Sequence, residues 1–277
     1  MPVPVLPAKP PEPQEPQEPQ DDRSNGACAA AHFLRSWWVK RDYNGEILGG
    51  GISVDPPLPS RDPTVSEEVW MLFPTRQVDI GFSNDRLAAA GHICLIYESD
   101  GTREKVVAEF MAAGLRNHES VRYLSDRTPP EQVRSWITGA DLSVDEAEKS
   151  GAFAVLRAED AYCPSGVFDP HAMIDRLKGR YKQVAQAGYH GTRSCGEMGW
   201  LFKGIPGSER WLEYESLLNT AFDPFPHSGM CQYDARLFDG ATLFKVLQLH
   251  PQIIAHGQIV KNPFFLRPDE FAANQET

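Results

Sequence analysis

Nowhere does the sequence hold an apolar run close to the roughly 18 residues that cross a bilayer, and its first residues lack the basic-then-apolar order of a signal peptide. The expectation is a cytoplasmic protein with no membrane partner. Positive charge is also scarce: 27 Lys and Arg face 38 Asp and Glu, for a net charge of -11. Nucleic acids and anionic surfaces want clustered cations, so direct nucleic-acid binding is not expected. Cysteine is sparse and unpaired in sequence. Cys28, Cys94, Cys163, Cys195 and Cys231 form no CxxC spacing, which argues against a zinc knuckle or a thioredoxin-type motif. Cys94, Cys195 and Cys231 fall in segments that read as strands, where a buried thiol usually behaves as a small hydrophobe. Redox sensing or soft-metal ligation is the alternative for these three. No metal or cofactor is expected.

What is present suits a globular chain: 41% of the 277 residues are hydrophobic and 23% charged. Residues 1–26, rich in Pro, Glu and Gln, read as a disordered tail, because proline removes backbone donors and little apolar surface is available to bury. Residues 27–76 form an extension of unknown role; Asn44-Gly45 suggests a hairpin, and DPPLPSRDPT a linker. Residues 77–266 carry a regular pattern, and 267–277 read as a C-terminal tail.

In the regular part, short apolar runs alternate with helical stripes. HICLIY (92–97), VRYLS (121–125), AFAVL (152–156), TRSCGEMGW (192–200, with its exit loop) and MCQY (230–233) read as strands, and QIIAHGQIV as a closing strand or hairpin. Between them, Val106, Val107, Phe110, Met111 and Leu115 lie on one helical stripe. Met173, Ile174, Leu177, Tyr181 and Val184 line a second, opened by Asp169-Pro170 and closed by Gly188. Ser143 and Glu146 have capping-box spacing. Unalternated apolar strands joined by helices mean an α/β fold: three layers, a mostly parallel sheet, helices on both faces.

Ligands of open α/β sheets bind beyond the carboxyl ends of the strands. Each strand delivers a carboxylate there: Glu98 and Asp100, Asp126, Glu159 and Asp160, Glu197, and Asp234. Asp100 and Asp126 are expected as helix caps. Glu197 stands apart, with Gly and Trp rather than an immediate helix after it, and could be either a tuned acid or base or a buried, satisfied carboxylate. The turn after the first strand, Glu98-Ser99-Asp100-Gly101, lacks the glycine run and lysine of a phosphate-binding loop.

Several segments, in order, resemble the MEDS sensory domain family: GHICLIYES, FDP-H-AM (168–173), GEMGW, LEYESLLN (212–219), CQYDARLF (231–238), LQLHP and GQIVKNPFF. The resemblance runs from about Gly81 to Phe265. It implies a RecA/KaiC-like domain that has lost nucleotide hydrolysis and senses small molecules, proposed to be hydrocarbon derivatives. The ligand residues it implies are Tyr97, Glu98, Glu197, Trp200, Gln232, Tyr233 and Asp234. His92 also falls in the motif, but at ~3.3 Å per residue it stands about 20 Å from Glu98 and reads as a core or bottom-face histidine. His250 is expected to interact with the end of its own helix. The expected function is a non-catalytic sensor of a small organic ligand, acting in regulation through a homodimer or a regulatory protein partner. The alternatives are a degenerate nucleotide-binding enzyme using Glu197, or a pure interaction module.

Overall fold

In the computed structural model, which describes residues 77–88, 91–137, 141–221 and 227–275, the apolar runs become the centre of a seven-stranded sheet. The tail and extension expected before residue 77 lie outside the described residues. A short antiparallel pair, β1 (Gln77–Asp79) and β2 (Arg86–Ala88), comes first and was not legible in the pattern. The main sheet takes β3 (Gly91–Tyr97), β4 (Ser120–Ser125), β5 (Phe153–Arg157), β6 (Thr192–Glu197) and β7 (His227–Asp234). It closes with the hairpin β8 (Gln252–Ala255) and β9 (Gln258–Lys261). Their spatial order is β5-β4-β6-β7-β3-β8-β9, and only β8 with β9 is antiparallel.

Burial explains the lack of alternation. All six residues of β4 and all eight of β7 are buried, because helices cover both faces. Ile93, Leu95 and Tyr97 of β3 point to one face with Tyr123 and Cys195; Cys94 and Ile96 point to the other with Cys231 and Tyr233. On the first face lie α1 (Asp100–Arg116), α2 (Pro130–Trp136) and α3 (Val144–Lys149). On the second lie α4 (Ala158–Tyr162), α5 (Pro170–Gln186), α6 (Trp211–Ala221) and α7 (Gly240–Leu249). The expected three-layer α/β class is what forms.

Local signals act as their chemistry dictates. Asp169 caps α5 by accepting from the Ala172 N–H at 2.9 Å, with Pro170 in the first turn, and Ser143 accepts from the Glu146 N–H at 3.3 Å to open α3. The stretch read as a C-terminal tail carries a further helix, α8 (Pro268–Gln275), which packs against α6 and α7 and buries Phe271. A single large apolar side chain, Phe271, in eight residues left too weak a period to read.

The turn between β3 and α1 is two residues long, Glu98 and Ser99. Asp100 opens the helix and is held by Arg236, with Nη2 to Oδ1 at 2.9 Å. The other expected cap, Asp126, pairs with Lys203 at 2.7 Å, while Pro129 occupies the cap position of α2. Neither acid caps a helix through its side chain, since a cation outside the helix binds each more strongly than a backbone N–H does.

Candidate functional site

The sheet separates the residues that the sequence groups together. Tyr97, Glu197 and Gln232 belong to the α1 face, whereas Trp200 and Tyr233 belong to the α6 face. Glu98 is exposed at the end of β3, and Tyr97 is half-buried under the Arg103 guanidinium, 5.1 Å from its ring centroid. Burial pushes the Tyr97 phenol up to about 12. Asp234 is buried and accepts from the Arg236 N–H at 2.9 Å and from its guanidinium at 2.7 and 2.8 Å; the hydrogen bonds from Arg236 hold its carboxyl below the usual range.

Glu197 is a filled acceptor. Its Oε1 takes Tyr123 Oη at 2.5 Å and Arg103 Nη1 at 3.2 Å. Its Oε2 takes the backbone N–H groups of Asp126, Arg127 and Thr128 at 3.0, 2.6 and 3.3 Å. Five donors saturate the roughly four lone-pair sites of a carboxylate and leave none to accept a substrate proton. Sequence reasoning missed Arg103, although it heads the same inward stripe as Val106, Val107 and Phe110.

Trp200, expected to face a ligand, is wholly buried. It stacks on Tyr162 at 4.9 Å between ring centroids and tilts against Phe168 at 5.1 Å. Gly196, four residues earlier in β6, is required by the same packing, because a β-carbon there would collide with the Tyr162 hydroxyl. Gln232 is buried, and neither atom of its amide finds a hydrogen-bond partner among the described residues.

A cleft does open at the carboxyl edge of the sheet, one residue beyond Trp200. Its volume is about 320 Å³, and Phe202, Trp211 and Phe238 supply its aromatic walls. Ser208, Asp239 and Thr242 supply polar groups at its rim. Phe202 is 57% exposed, a large apolar side chain left open to solvent. Phe202 and Phe238 meet edge to face at 4.8 Å, and Trp211 lies 5.9 Å from the ring of Tyr233 behind the wall. None of the three lining aromatics was singled out as a ligand contact from sequence; Phe202 sits just past the recognised GEMGW segment, Trp211 just before LEYESLLN, and Phe238 closes CQYDARLF.

Behind the cleft wall, where Tyr233 touches Trp211 on one side and Glu215 on the other, polar groups gather inside the core. Glu215 on α6 is fully buried and meets His92 of β3 at 2.9 Å, His250 after α7 at 3.4 Å, Cys231 of β7 at 3.5 Å and the Tyr233 hydroxyl at 2.9 Å. Burial alone would raise the Glu215 carboxyl, but the adjoining His250 and His92 rings outweigh it and hold it well below the usual carboxylate range. Burial, reinforced by His250, lowers His92. The core position expected for His92 and the helix-end contact expected for His250, Nδ1 to the Val246 carbonyl at 2.7 Å, both appear. Glu215 was missed, yet its spacing betrays it: Trp211, Tyr214, Glu215 and Leu218 fall on one inward stripe, and an acid there demands partners.

Comparison with known proteins adds a family to this geometry. A transcriptional repressor, DcmR of Methylorubrum extorquens, is 25% identical over 168 residues. The match spans 59% of this chain and 59% of the repressor's own length. Among solved structures, a KaiC-like protein of Pyrococcus horikoshii aligns with TM-score 0.45 and 13% identity, over 65% of this chain and 80% of that one. The flagellar accessory protein FlaH of Methanocaldococcus jannaschii aligns with TM-score 0.47 and 10% identity, over 66% and 83%. No helix among the described residues is long and apolar enough to cross a membrane. The model of the methanogen/methylotroph, DcmR sensory domain matches residues 91–251, which spans both the cleft and the buried cluster and more than half of the sequence. The chain belongs to the MEDS sensory domain family.

Proposed function

We propose that this chain is a non-catalytic sensor in a regulatory pathway, and that the small organic molecule it senses, of the hydrocarbon-derivative class, docks in the cleft walled by Phe202, Trp211 and Phe238. The observation that carries the reading is the cleft itself, set within a sensory-family domain at the strand ends where α/β sheets take ligands. Its 320 Å³ lies at the small end of the range for ligand pockets, which suits a compact molecule rather than a nucleotide. The aromatic faces give contact area, and Ser208, Asp239 and Thr242 orient a polar group. Of the residues expected from sequence, Tyr233 backs this wall through Trp211, and Trp200 buttresses the segment that carries Phe202.

The likeness to a transcriptional repressor supports a regulatory output. Ligand in the cleft would contact both the start of α6, through Trp211, and the start of α7, through Thr242. Only a difference in affinity between two arrangements of these helices can drive a signal. That signal passes to a protein partner or a second copy.

A thermal-shift screen of small organic compounds tests the reading, since anything that binds the native state raises its apparent stability. A hit is expected to lose its effect in Phe202→Ala while the ligand-free midpoint stays where it was. Hits that are indifferent to Phe202→Ala, or no hits among compounds small enough for the cleft, would overturn it.

A further inference from the structure

We propose that His92, Glu215, Cys231 and His250 form a closed binding site for one divalent transition-metal ion, with zinc the best fit. One ligand atom from each residue lies within 4.8 Å of the others, and all four side chains are buried. Zinc binds nitrogen at 2.0–2.1 Å, oxygen at 2.0–2.2 Å and sulfur at about 2.3 Å, so a tetrahedral set has its ligand atoms about 3.3 to 3.6 Å apart. Here Glu215 Oε2 stands 2.9 Å from His92 Nε2, 3.4 Å from His250 Nε2 and 3.5 Å from Cys231 Sγ. Cys231 Sγ stands 3.6 Å from His92 Nε2. Shifts of less than about an ångström and a half convert the present spacing into a coordination sphere.

The outer contacts point the same way. Metal-bound histidines usually have the far ring nitrogen held by an acceptor, which fixes the ring and leaves the near nitrogen's lone pair for the ion. His250 Nδ1 lies 2.7 Å from the Val246 carbonyl. His92 Nδ1 lies 3.1 Å from Asn219 Oδ1, and Asn219 can be placed in only one sense, because its Nδ2 donates to the Glu215 and Leu249 carbonyls at 3.3 and 2.8 Å. With both Nδ1 atoms acting as donors, neutral rings turn two Nε2 lone pairs toward a carboxylate and a sulfur. His250 Nε2 has no hydrogen-bond partner among the described residues and is fully buried. Electron-rich atoms crowded in this way need either protons or a cation between them, and a divalent ion satisfies all four at once. Tyr233 Oη, donating to Glu215 Oε1 at 2.9 Å, would leave Oε2 to the metal.

The donor set of two imidazoles, a thiolate and a carboxylate favours zinc among the divalent ions. All four positions come from the chain, so no coordination site is left for water or substrate, and the role is structural rather than catalytic. The ion would pin α6 and the end of α7 onto β3 and β7, the same two helices whose first turns wall the cleft.

The test uses the full chain purified from zinc-supplemented cells, analysed by elemental mass spectrometry after desalting, and then refilled with cobalt(II) as a spectroscopic probe. The expected result is one zinc per chain, a cobalt spectrum with tetrahedral d–d bands and a thiolate charge-transfer band, and loss of both in Cys231→Ala. Cys195→Ala, on the opposite face of the sheet, is expected to keep them. Asn219→Leu, which spares all four ligands, is expected to weaken zinc binding roughly 10- to 100-fold. Metal-free wild-type protein from zinc-rich cells that gives no cobalt band would overturn the site, and so would zinc retained undiminished by Cys231→Ala. If Cys231→Ala fails to fold, the wild-type cobalt spectrum and the Asn219→Leu affinity decide the question.

Discussion

Two glutamates lie buried on opposite faces of one sheet, and their surroundings differ in kind. Glu197 is met by five donors, one of them on the Arg103 guanidinium, and its charge is balanced by the chain itself. Glu215 is met by two imidazoles, a thiol and one phenol, none of which carries a permanent positive charge. The first arrangement is complete as folded. The second has its full meaning only with a cation in its midst. A buried carboxylate is therefore informative through the donors around it more than through its own position.

The comparison can be broken at its strongest point first. Glu197→Ala strands Arg103 in the core, and leaving one member of a buried pair alone costs about 4 kcal/mol. Urea unfolding should show that loss with or without a chelator. A loss under about 1 kcal/mol would mean that the five contacts are not holding the fold. Next comes Trp200→Ala, expected to cost about 3 kcal/mol because a stacked, fully buried indole leaves a cavity behind. Near-native stability would move Trp200 out of the core and back toward a ligand-facing role.

A smaller effect depends on pH. His227 is buried against Thr192 Oγ1 at 2.6 Å, and burial lowers its imidazole from the ordinary 6.5 to about 3. Between those values the unfolded chain binds a proton that the folded chain refuses, so stability is full above about pH 6.5 and falls as the solution is acidified. The expected loss from His227 between pH 7 and pH 5 is about 2 kcal/mol, read from urea midpoints. His227→Asn should flatten that slope; an unchanged slope would assign it to other groups. Smallest of all is Phe202→Ala, which should change stability by less than about 0.5 kcal/mol, because the ring is more than half exposed.

The fold was legible because parallel strands under two helical layers must be apolar throughout, and β3, β4 and β7 announce themselves that way. The start of β7 was not: His227, Ser228 and Gly229 are polar or small, but they are buried and paired to β6 and β3. The candidate site was legible only as motifs. GEMGW and CQYD mark strand ends correctly, but Gln232 and Tyr233 alternate to opposite faces of the sheet, and past Glu197 the chain winds into a 3-10 turn over Met198–Lys203 that buries Trp200 and leaves Phe202 exposed. Hence Trp200 was read as lining and Phe202 was passed over. The Glu215 cluster draws one residue from each of four elements between positions 92 and 250, and only the folded order β7-β3-β8 under α6 and α7 brings them together.

Chelator sensitivity of unfolding, compared across wild type, Glu197→Gln and Glu215→Gln, tests the contrast between the two glutamates most directly. A shift of the thermal midpoint on metal removal is expected in wild type and Glu197→Gln and absent in Glu215→Gln. Equal responses in all three, or none in wild type, would contradict it.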